Sequence, residues 1–500
     1  MTKRLYVSLC FAIVTLCFAT TNAATTTTNV ELRLPEIFDN NMVLQRDMPV
    51  PIWGWADPGE EIAVTLETPV MLARTTPVIA DDNGRWKVSL PPLPASTEPG
   101  TLTVKGKNEI RLTNILIGDV WLCSGQSNME WSMTQSCRAE YEELLKTVDN
   151  PNIRLFHVRR QYSAAPLDAL PVTASWTAIS AESIPHFSAV ALHFGRKLHA
   201  ELDVPIGLIN SSWGGTRIEP WTPPVGFQSV PALQSIVDGL AQNPEPSQWQ
   251  PTMLYNAMIH PLVPFAMRGA IWYQGESNVG EGMLYADKMK ALIQGWREVF
   301  NNPDLGFYYV QLAPFIYGNQ PPTRLPELWE AQSAVEKMLP KTGQAVINDT
   351  VDDIHDIHPI SKRPVGERLA LLALNRTYGK SEVVCASPEF DRMEIEADTL
   401  IVYFNNAQVL RLREPSITTD DRLNWFEIAG ADGIYYPAEL DLDALRRDRA
   451  AGGQMRLHFK SPRVPSPVAI RYAWDQSARP RIHNEAGLPL GAFRAGTVPE

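Results

Sequence analysis

A series of short, almost continuous apolar runs occupies the middle of this chain, and stretches of helical length separate them. A strand that is apolar at every position is buried on both faces, as in a parallel sheet covered by helices. One intervening stretch, 187–202, places Phe187, Val190, Ala191, Phe194 and Leu198 on one side of a helix. The runs predicted as strands are 115–122, 153–158, 205–211, 269–274, 307–312 and 345–348.

The segments on either side of this region show a different pattern. Residues 30–107 alternate apolar and polar side chains in short segments, with a hairpin signal (DNG, 82–84) before Trp86. Alternation returns after Tyr378. A length of 500 residues corresponds to roughly three domains. We therefore predict an N-terminal β-sandwich-like domain at 30–107, an α/β domain with a helix-flanked parallel sheet at 108–380, and a C-terminal β-rich domain at 381–500.

The first residues have the composition of a leader. Lys3 and Arg4 precede an apolar run at 5–19, and TNA at 21–23 offers small residues for cleavage after Ala23. No other stretch approaches the ~18 apolar residues that a membrane span needs. The sequence thus predicts a signal peptide at 1–23 and an exported protein, periplasmic or secreted, without a membrane anchor.

Cleavage there would leave Cys123, Cys137 and Cys385, so at most one intramolecular disulfide could form. Cys123 ends an apolar run and is expected to be a buried free thiol. The sequence does not decide whether Cys137 and Cys385 are bridged.

The charge balance disfavours nucleic acid and anionic membrane surfaces as partners. The chain has 44 basic and 56 acidic residues, a net charge of -12. The sequence does not indicate an oligomeric state.

Polar motifs follow several of the predicted strands, where the carboxyl ends of a parallel sheet bind ligands. They are GQSNM (125–129), WGGT (213–216), QGESN (274–278) and DDIHDIHP (352–359). Acyl transfer requires a nucleophile, a general base and donors for an oxyanion. Ser127, His358 and the pair Gly215 and Gln274 supply these three functions.

Together these motifs resemble the sialate O-acetylesterase family of the SGNH (GDSL-like) hydrolases. The resemblance covers nearly the whole mature chain. It includes GDVWLCSGQSNM (118–129), NSSWGGT (210–216), LYNAMI (254–259), IWYQGESN (271–278), DIHP (356–359), FEIAGAD (426–432), VAIRYAW (468–474) and GLP (487–489).

The resemblance implies an SGNH-like fold and a serine esterase that needs no cofactor. It implies Ser127 as nucleophile, His358 as base, and an oxyanion hole made by the backbone N–H groups of Ser127 and Gly215 and the side-chain amide of Gln274. Arg217 and Asn278 are candidates for binding the substrate, although Arg217 could instead pair with Glu219.

The third member of the triad is open at this stage. Members of the superfamily commonly place an aspartate three residues before the histidine, but His355 stands there. The candidates to orient His358 are Asp356, then Asp353, then Glu276.

Several functions remain to be compared. The leading hypothesis is an esterase that removes O-acetyl groups from sugars, with O-acetylated sialic acids as the favoured substrate. The alternatives are an acetylesterase acting on xylan or another plant polysaccharide, and a non-catalytic glycan-binding protein. A metal at 352–358 is disfavoured because no spaced ligand motif such as HExxH accompanies these residues.

Overall fold

The computed structural model describes residues 31–69, 71–242, 245–412 and 425–498. The predicted signal peptide at 1–23 lies outside the described residues. Within the described part of the chain, no helix has the length and apolar character needed to cross a membrane.

Short, mostly antiparallel strands build the N-terminal region, as the alternating pattern predicts; the strand Val43–Gln45 is the exception and pairs in parallel with residues 116–118. Their burial also alternates, for example in the strand Arg85–Leu90, because successive side chains point to opposite faces. The strands are β1 (Val43–Gln45), β2 (Val50–Trp55), β3 (Glu61–Thr68), β4 (Met71–Arg74), β5 (Val78–Ile79), β6 (Arg85–Leu90) and β7 (Ser96–Lys105).

The middle of the chain forms a sheet in which every neighbouring pair is parallel except β10 and β9. The strand order is β10-β9-β11-β8-β12-β13-β14. The strands are β8 (Glu109–Gly125), β9 (Asn150–His157), β10 (Trp176–Ile179), β11 (Ile206–Ser212), β12 (Gly269–Tyr273), β13 (Gly306–Val310) and β14 (Thr342–Ala345). This confirms the predicted α/β class.

Strand β8 is longer than the predicted 115–122 and belongs to two regions of the sheet. Its first half pairs antiparallel with β7, and its second half pairs in parallel with β11 and β12. The predicted boundary at 107/108 thus lies just before a strand that joins the two regions.

Helices cover both faces of the parallel sheet. Trp121 on β8 is the register partner of Gly269, and Trp272 lies three residues further along β12, so the two indoles point to opposite faces. Trp121 packs on Phe194 and Trp272 on Trp296. The α-helices are α1 (Ser127–Glu130), α2 (Arg138–Leu145), α3 (Ala189–Leu202), α4 (Pro224–Gln228), α5 (Gln234–Leu240), α6 (Leu284–Val299), α7 (Arg324–Met338), α8 (Arg363–Arg376) and α9 (Leu442–Ala451).

The C-terminal region contains two four-stranded antiparallel sheets, in the orders β15-β16-β21-β20 and β19-β18-β22-β24, and a two-stranded pair, β17-β23. The aromatic ring of Phe426 contacts Phe459 across the two larger sheets, with 4.3 Å between ring centroids. The strands are β15 (Glu389–Glu396), β16 (Thr399–Asn405), β17 (Arg411–Leu412), β18 (Phe426–Ala429), β19 (Tyr435–Pro437), β20 (Glu439–Leu440), β21 (Arg456–Lys460), β22 (Ala469–Tyr472), β23 (Ile482–His483) and β24 (Phe493–Gly496).

The sequence left open whether Cys137 and Cys385 form a disulfide, and the structure answers this question. Cys123, Cys137 and Cys385 are all free thiols, and Cys123 is fully buried. No bridge joins Cys137 to Cys385.

Candidate active site

Ser127 and His358 meet at the carboxyl edge of the parallel sheet. The Oγ of Ser127 lies 2.9 Å from Nε2 of His358, although 231 residues separate them in sequence. Ser127 begins α1, directly after β8, and the chain turns at Gly125, whose φ is 139°. A Cβ at Gly125 would lie 2.1 Å from the carbonyl oxygen of Tyr273, so only glycine fits beside β12.

The His358 imidazole stacks on an aromatic neighbour. Trp131 stacks on it, with 4.6 Å between ring centroids and 16° between ring planes. Burial lowers the pKa of His358, the Lys362 ammonium lowers it further, and the Asp356 carboxylate opposes both effects. The lowered pKa favours the neutral ring, which is the form that a general base requires.

Of the three carboxylates predicted to orient His358, Asp356 is in direct proximity. Its Oδ1 accepts a 2.8 Å hydrogen bond from the backbone N–H of His358 and lies 3.7 Å from the ring Nδ1. The second distance is too long for a hydrogen bond. Asp353 accepts from the backbone N–H of His355, and Glu276 bonds to Asn128.

Two backbone N–H groups at the site are available as hydrogen-bond donors. Among the described residues, neither the N–H of Ser127 nor that of Gly215 has an acceptor. Gly215 is exposed and has a φ of 75°. The preceding N–H, of Gly214, donates to the Glu130 carboxylate at 2.9 Å, which fixes the turn after β11. The arrangement can stabilise an oxyanion formed at Ser127.

Gln274 does not present a free donor in this arrangement. Its side chain is fully buried, and its Nε2 lies within hydrogen-bond distance of Gln126 Oε1 (3.1 Å), Thr216 O (3.2 Å) and Asn278 Oδ1 (2.8 Å). Two amide hydrogens thus already have three protein acceptors. The predicted oxyanion contact would require Gln274 to give up one of these partners.

The two predicted substrate ligands are engaged elsewhere. Asn278 is 1% exposed, and its carboxamide accepts from Ile218 N–H and from Gln274 while donating to two glutamates, so its hydrogen-bonding capacity is filled. Arg217 pairs with Glu219 and Glu281. The structure thus engages Asn278 within the protein and shows the alternative pairing for Arg217, and substrate binding by either residue stays a prediction.

Three residues near the site were missed by the sequence analysis. Trp131 stacks on the base, as described above. Lys362 is a fully buried lysine that donates to Asn128. Trp249 is 52% exposed, and its ring edge lies 3.6 Å from the position that a Cβ would occupy if Gly215 were replaced by another residue. Nothing in the local sequence distinguishes these residues from ordinary core or surface positions.

The acidic and imidazole-rich stretch 352–359 does not form a metal cluster. Over the described ranges of the chain, no group of three or more His, Cys, Asp or Glu side chains is arranged to hold a metal ion. Asp353 and Asp356 instead stabilise turns through hydrogen bonds from the backbone.

Comparison with known proteins agrees with this geometry. Residues 117–375 match the family model described as "Carbohydrate esterase, sialic acid-specific acetylesterase". The sialate O-acetylesterases of Pongo abelii and Homo sapiens are each 30% identical to this chain, with 93% of both chains covered. A carbohydrate acetylesterase from Xanthomonas citri is a structural relative with 34% identity and a TM-score of 0.81. That match covers 93% of this chain and 100% of the relative.

The fold and the relatives are those of an α/β esterase. The chain belongs to the sialic acid-specific acetylesterase family of carbohydrate esterases, which confirms the resemblance found in the sequence. It is a carbohydrate acetylesterase, and the alternative of a non-catalytic glycan-binding protein is wrong.

Proposed function

We propose that this protein is an exported esterase that hydrolyses O-acetyl esters of sugars, with O-acetylated sialic acids as substrates, through an acyl-enzyme on Ser127. The observation that carries the mechanism is the 2.9 Å contact between Ser127 Oγ and His358 Nε2, beside two N–H groups without acceptors among the described residues. Export is proposed from the leader composition of residues 1–23.

In the proposed reaction, Ser127 Oγ attacks the acetyl carbonyl carbon and His358 Nε2 accepts the hydroxyl proton. The negative oxygen of the tetrahedral intermediate accepts hydrogen bonds from the N–H groups of Ser127 and Gly215. The intermediate collapses when His358 returns the proton to the departing sugar oxygen. Water then attacks the acetyl-serine by the same route, acetate leaves, and Ser127 regains its proton.

The substrate assay follows from the two glycan hypotheses. The names of the mammalian relatives favour sialic acids, while the same acyl chemistry would serve acetylated xylan. Acetate release should be measured on a panel of O-acetylated sialic acids and on acetylated xylan. A higher kcat/KM on xylan, without release from any sialic acid, would contradict the proposed substrate.

Asp356→Asn is expected to lower kcat by at least about tenfold, because the proposed triad loses the one carboxylate that the described residues place near His358 Nδ1 to stabilise the imidazolium. The half-exposed position of Asp356 makes the effect smaller than that of losing the base itself. Asp353→Asn is the matched control, since its carboxylate accepts the same kind of turn hydrogen bond as Asp356, but from His355 rather than from His358. Near-full kcat in Asp356→Asn, with a collapse in Asp353→Asn or Glu276→Gln, would move the orienting role to that residue.

Trp249→Ala is expected to lower kcat/KM on acetylated sugars by on the order of tenfold or more, because an exposed indole beside Gly215 offers a flat apolar surface to a sugar ring. Turnover of 4-nitrophenyl acetate, which has no sugar, should change little. Trp249→Phe should recover part of the glycan activity. An equal loss on both substrates would show that Trp249 supports the fold of the site rather than the sugar.

Activity is expected to survive exhaustive dialysis against EDTA. In the proposed mechanism Ser127 and His358 provide both nucleophile and base, so a metal hydroxide would be redundant. The measurement is kcat on 4-nitrophenyl acetate before and after dialysis. Loss of activity that zinc or calcium restores would revive a metal role for residues 352–358.

A further inference from the structure

A fully buried lysine lies beneath the proposed active site. Lys362 precedes α8 and is 0% exposed, although lysine is almost never fully buried unless it is paired. Its Nζ donates a 2.6 Å hydrogen bond to Oδ1 of Asn128, the residue that follows the nucleophile. The mechanism derived above does not use this ammonium group.

Asn128 connects three segments that must meet in the active site. Its Nδ2 donates to Oε1 of Glu276 at 2.6 Å and to the carbonyl oxygen of Ile357 at 3.0 Å. Lysine has only donors, so the carboxamide oxygen must face Lys362 and the NH₂ group must face Glu276 and Ile357. The cation thereby fixes one orientation of the amide between α1, the end of β12 and the His358 loop.

Lys362 and Glu276, the two ionisable groups that contact Asn128, influence each other's charge. Burial lowers the pKa of Lys362 to about 7, and Glu276, Asp356 and Glu140 oppose the decrease. Burial raises the pKa of Glu276, whose Oε2 has no hydrogen-bond partner within the described residues. Short hydrogen bonds on both sides of Asn128 fit a charge-assisted pair, Lys362 cation and Glu276 anion.

The same ammonium group is close enough to affect the base. Its Nζ lies 5.2 Å from the centroid of the Trp131 ring, which stacks on His358. Lys362 and Asp356 are the charged groups that act on the imidazole, and they act in opposite directions. A nearby cation disfavours the imidazolium form and so extends the pH range in which His358 can accept a proton.

We propose that Lys362 is a positioning residue of the esterase, which clamps Asn128 against Glu276 and Ile357 and places a cation beside the Trp131 ring that stacks on His358. The proposal rests on the proposed function of Ser127 and His358. Its two parts predict different effects. Loss of the clamp lowers the plateau value of kcat, because a displacement of about 1 Å can cost on the order of 100-fold. Loss of the cation moves the acid limb of kcat/KM to higher pH.

The experiment compares Lys362→Met with the double variant Lys362→Met/Glu276→Gln. The single variant leaves a buried carboxylate without its cation and can fail to fold, whereas the double variant removes both charges. Tm, kcat and the pH profile of kcat/KM are measured on 4-nitrophenyl acetate. Lys288→Met is the matched control, because Lys288 is another buried lysine, paired with Glu219 and Glu281, and is not among the charges that act on His358.

The expected result is a double variant with a Tm near that of the wild type, a kcat reduced by about tenfold or more, and an acid limb at higher pH. Lys288→Met should leave the acid limb in place. A double variant with wild-type kcat and an unshifted acid limb would overturn the proposal and leave Lys362 as a fold residue only. Ser127→Ala is assayed in parallel, since activity retained there would overturn the proposed function itself.

Discussion

Ser127→Ala is expected to lose on the order of 10⁴- to 10⁶-fold in kcat while the fold remains intact. The hydroxyl that would carry the acetyl group is removed, and no other serine lies at the Nε2 of His358 among the described residues. The substitution deletes one partly exposed oxygen at the start of α1, so it creates neither a cavity nor an unpaired buried group.

The measurement combines turnover with detection of the acyl-enzyme. Enzyme quenched during turnover of 4-nitrophenyl acetate should show an added acetyl mass on the peptide that contains Ser127, and the variant should not. Ser124→Ala is the control, because its buried hydroxyl has no hydrogen-bond partner in the described structure and lies three residues before the nucleophile. Near wild-type turnover in Ser127→Ala would place the nucleophile elsewhere.

The apolar runs located the sheet well because parallel strands buried on both faces leave a direct signature in sequence. The prediction of 205–211 compares with β11 at Ile206–Ser212, and 269–274 with β12 at Gly269–Tyr273. The prediction for β8 began too late, at 115 instead of Glu109. The first half of β8 pairs antiparallel with β7 and alternates in burial, so its sequence pattern resembles that of the N-terminal region.

The proximity of Ser127 and His358 could be predicted because position in a parallel sheet determines which residues meet. Residues after β8, β11 and β12 share one edge, and Gly125 pairs in register with both Ser212 and Tyr273. Among the residues at this edge, the residue type then narrowed the candidates to side chains able to act as nucleophile or base.

The contacts of Asn278, Gln274 and Lys362 could not be predicted in the same way. Asn278 follows a strand, as a ligand would, but its amide NH₂ group donates to Glu219 and Glu281, which both pair with Lys288 of α6. Lysine is usually exposed, so hydropathy places Lys362 on the surface. Its burial depends on Asn128, which lies 234 residues away in sequence.

His358→Gln is the second variant expected to have a very large effect, with a loss of about 10⁴-fold or more in kcat. Glutamine fills a similar volume beside Trp131 but cannot accept the Ser127 proton near neutral pH.

The environment of His358 also predicts how kcat/KM of the wild-type enzyme depends on pH. Because burial and Lys362 lower the pKa of His358, the acid limb of kcat/KM should begin only below the ordinary histidine pKa of about 6.5.

The double variant Ser127→Ala/His358→Gln tests whether the two residues act as a unit. A base without a nucleophile to deprotonate contributes nothing further, so the loss in the double variant should equal that of Ser127→Ala alone within about threefold. Independent roles would instead multiply the two losses. Circular dichroism and Tm establish that each variant is folded. Multiplied losses in folded variants would show that the 2.9 Å contact does not serve proton transfer from Ser127 and that His358 acts on another group.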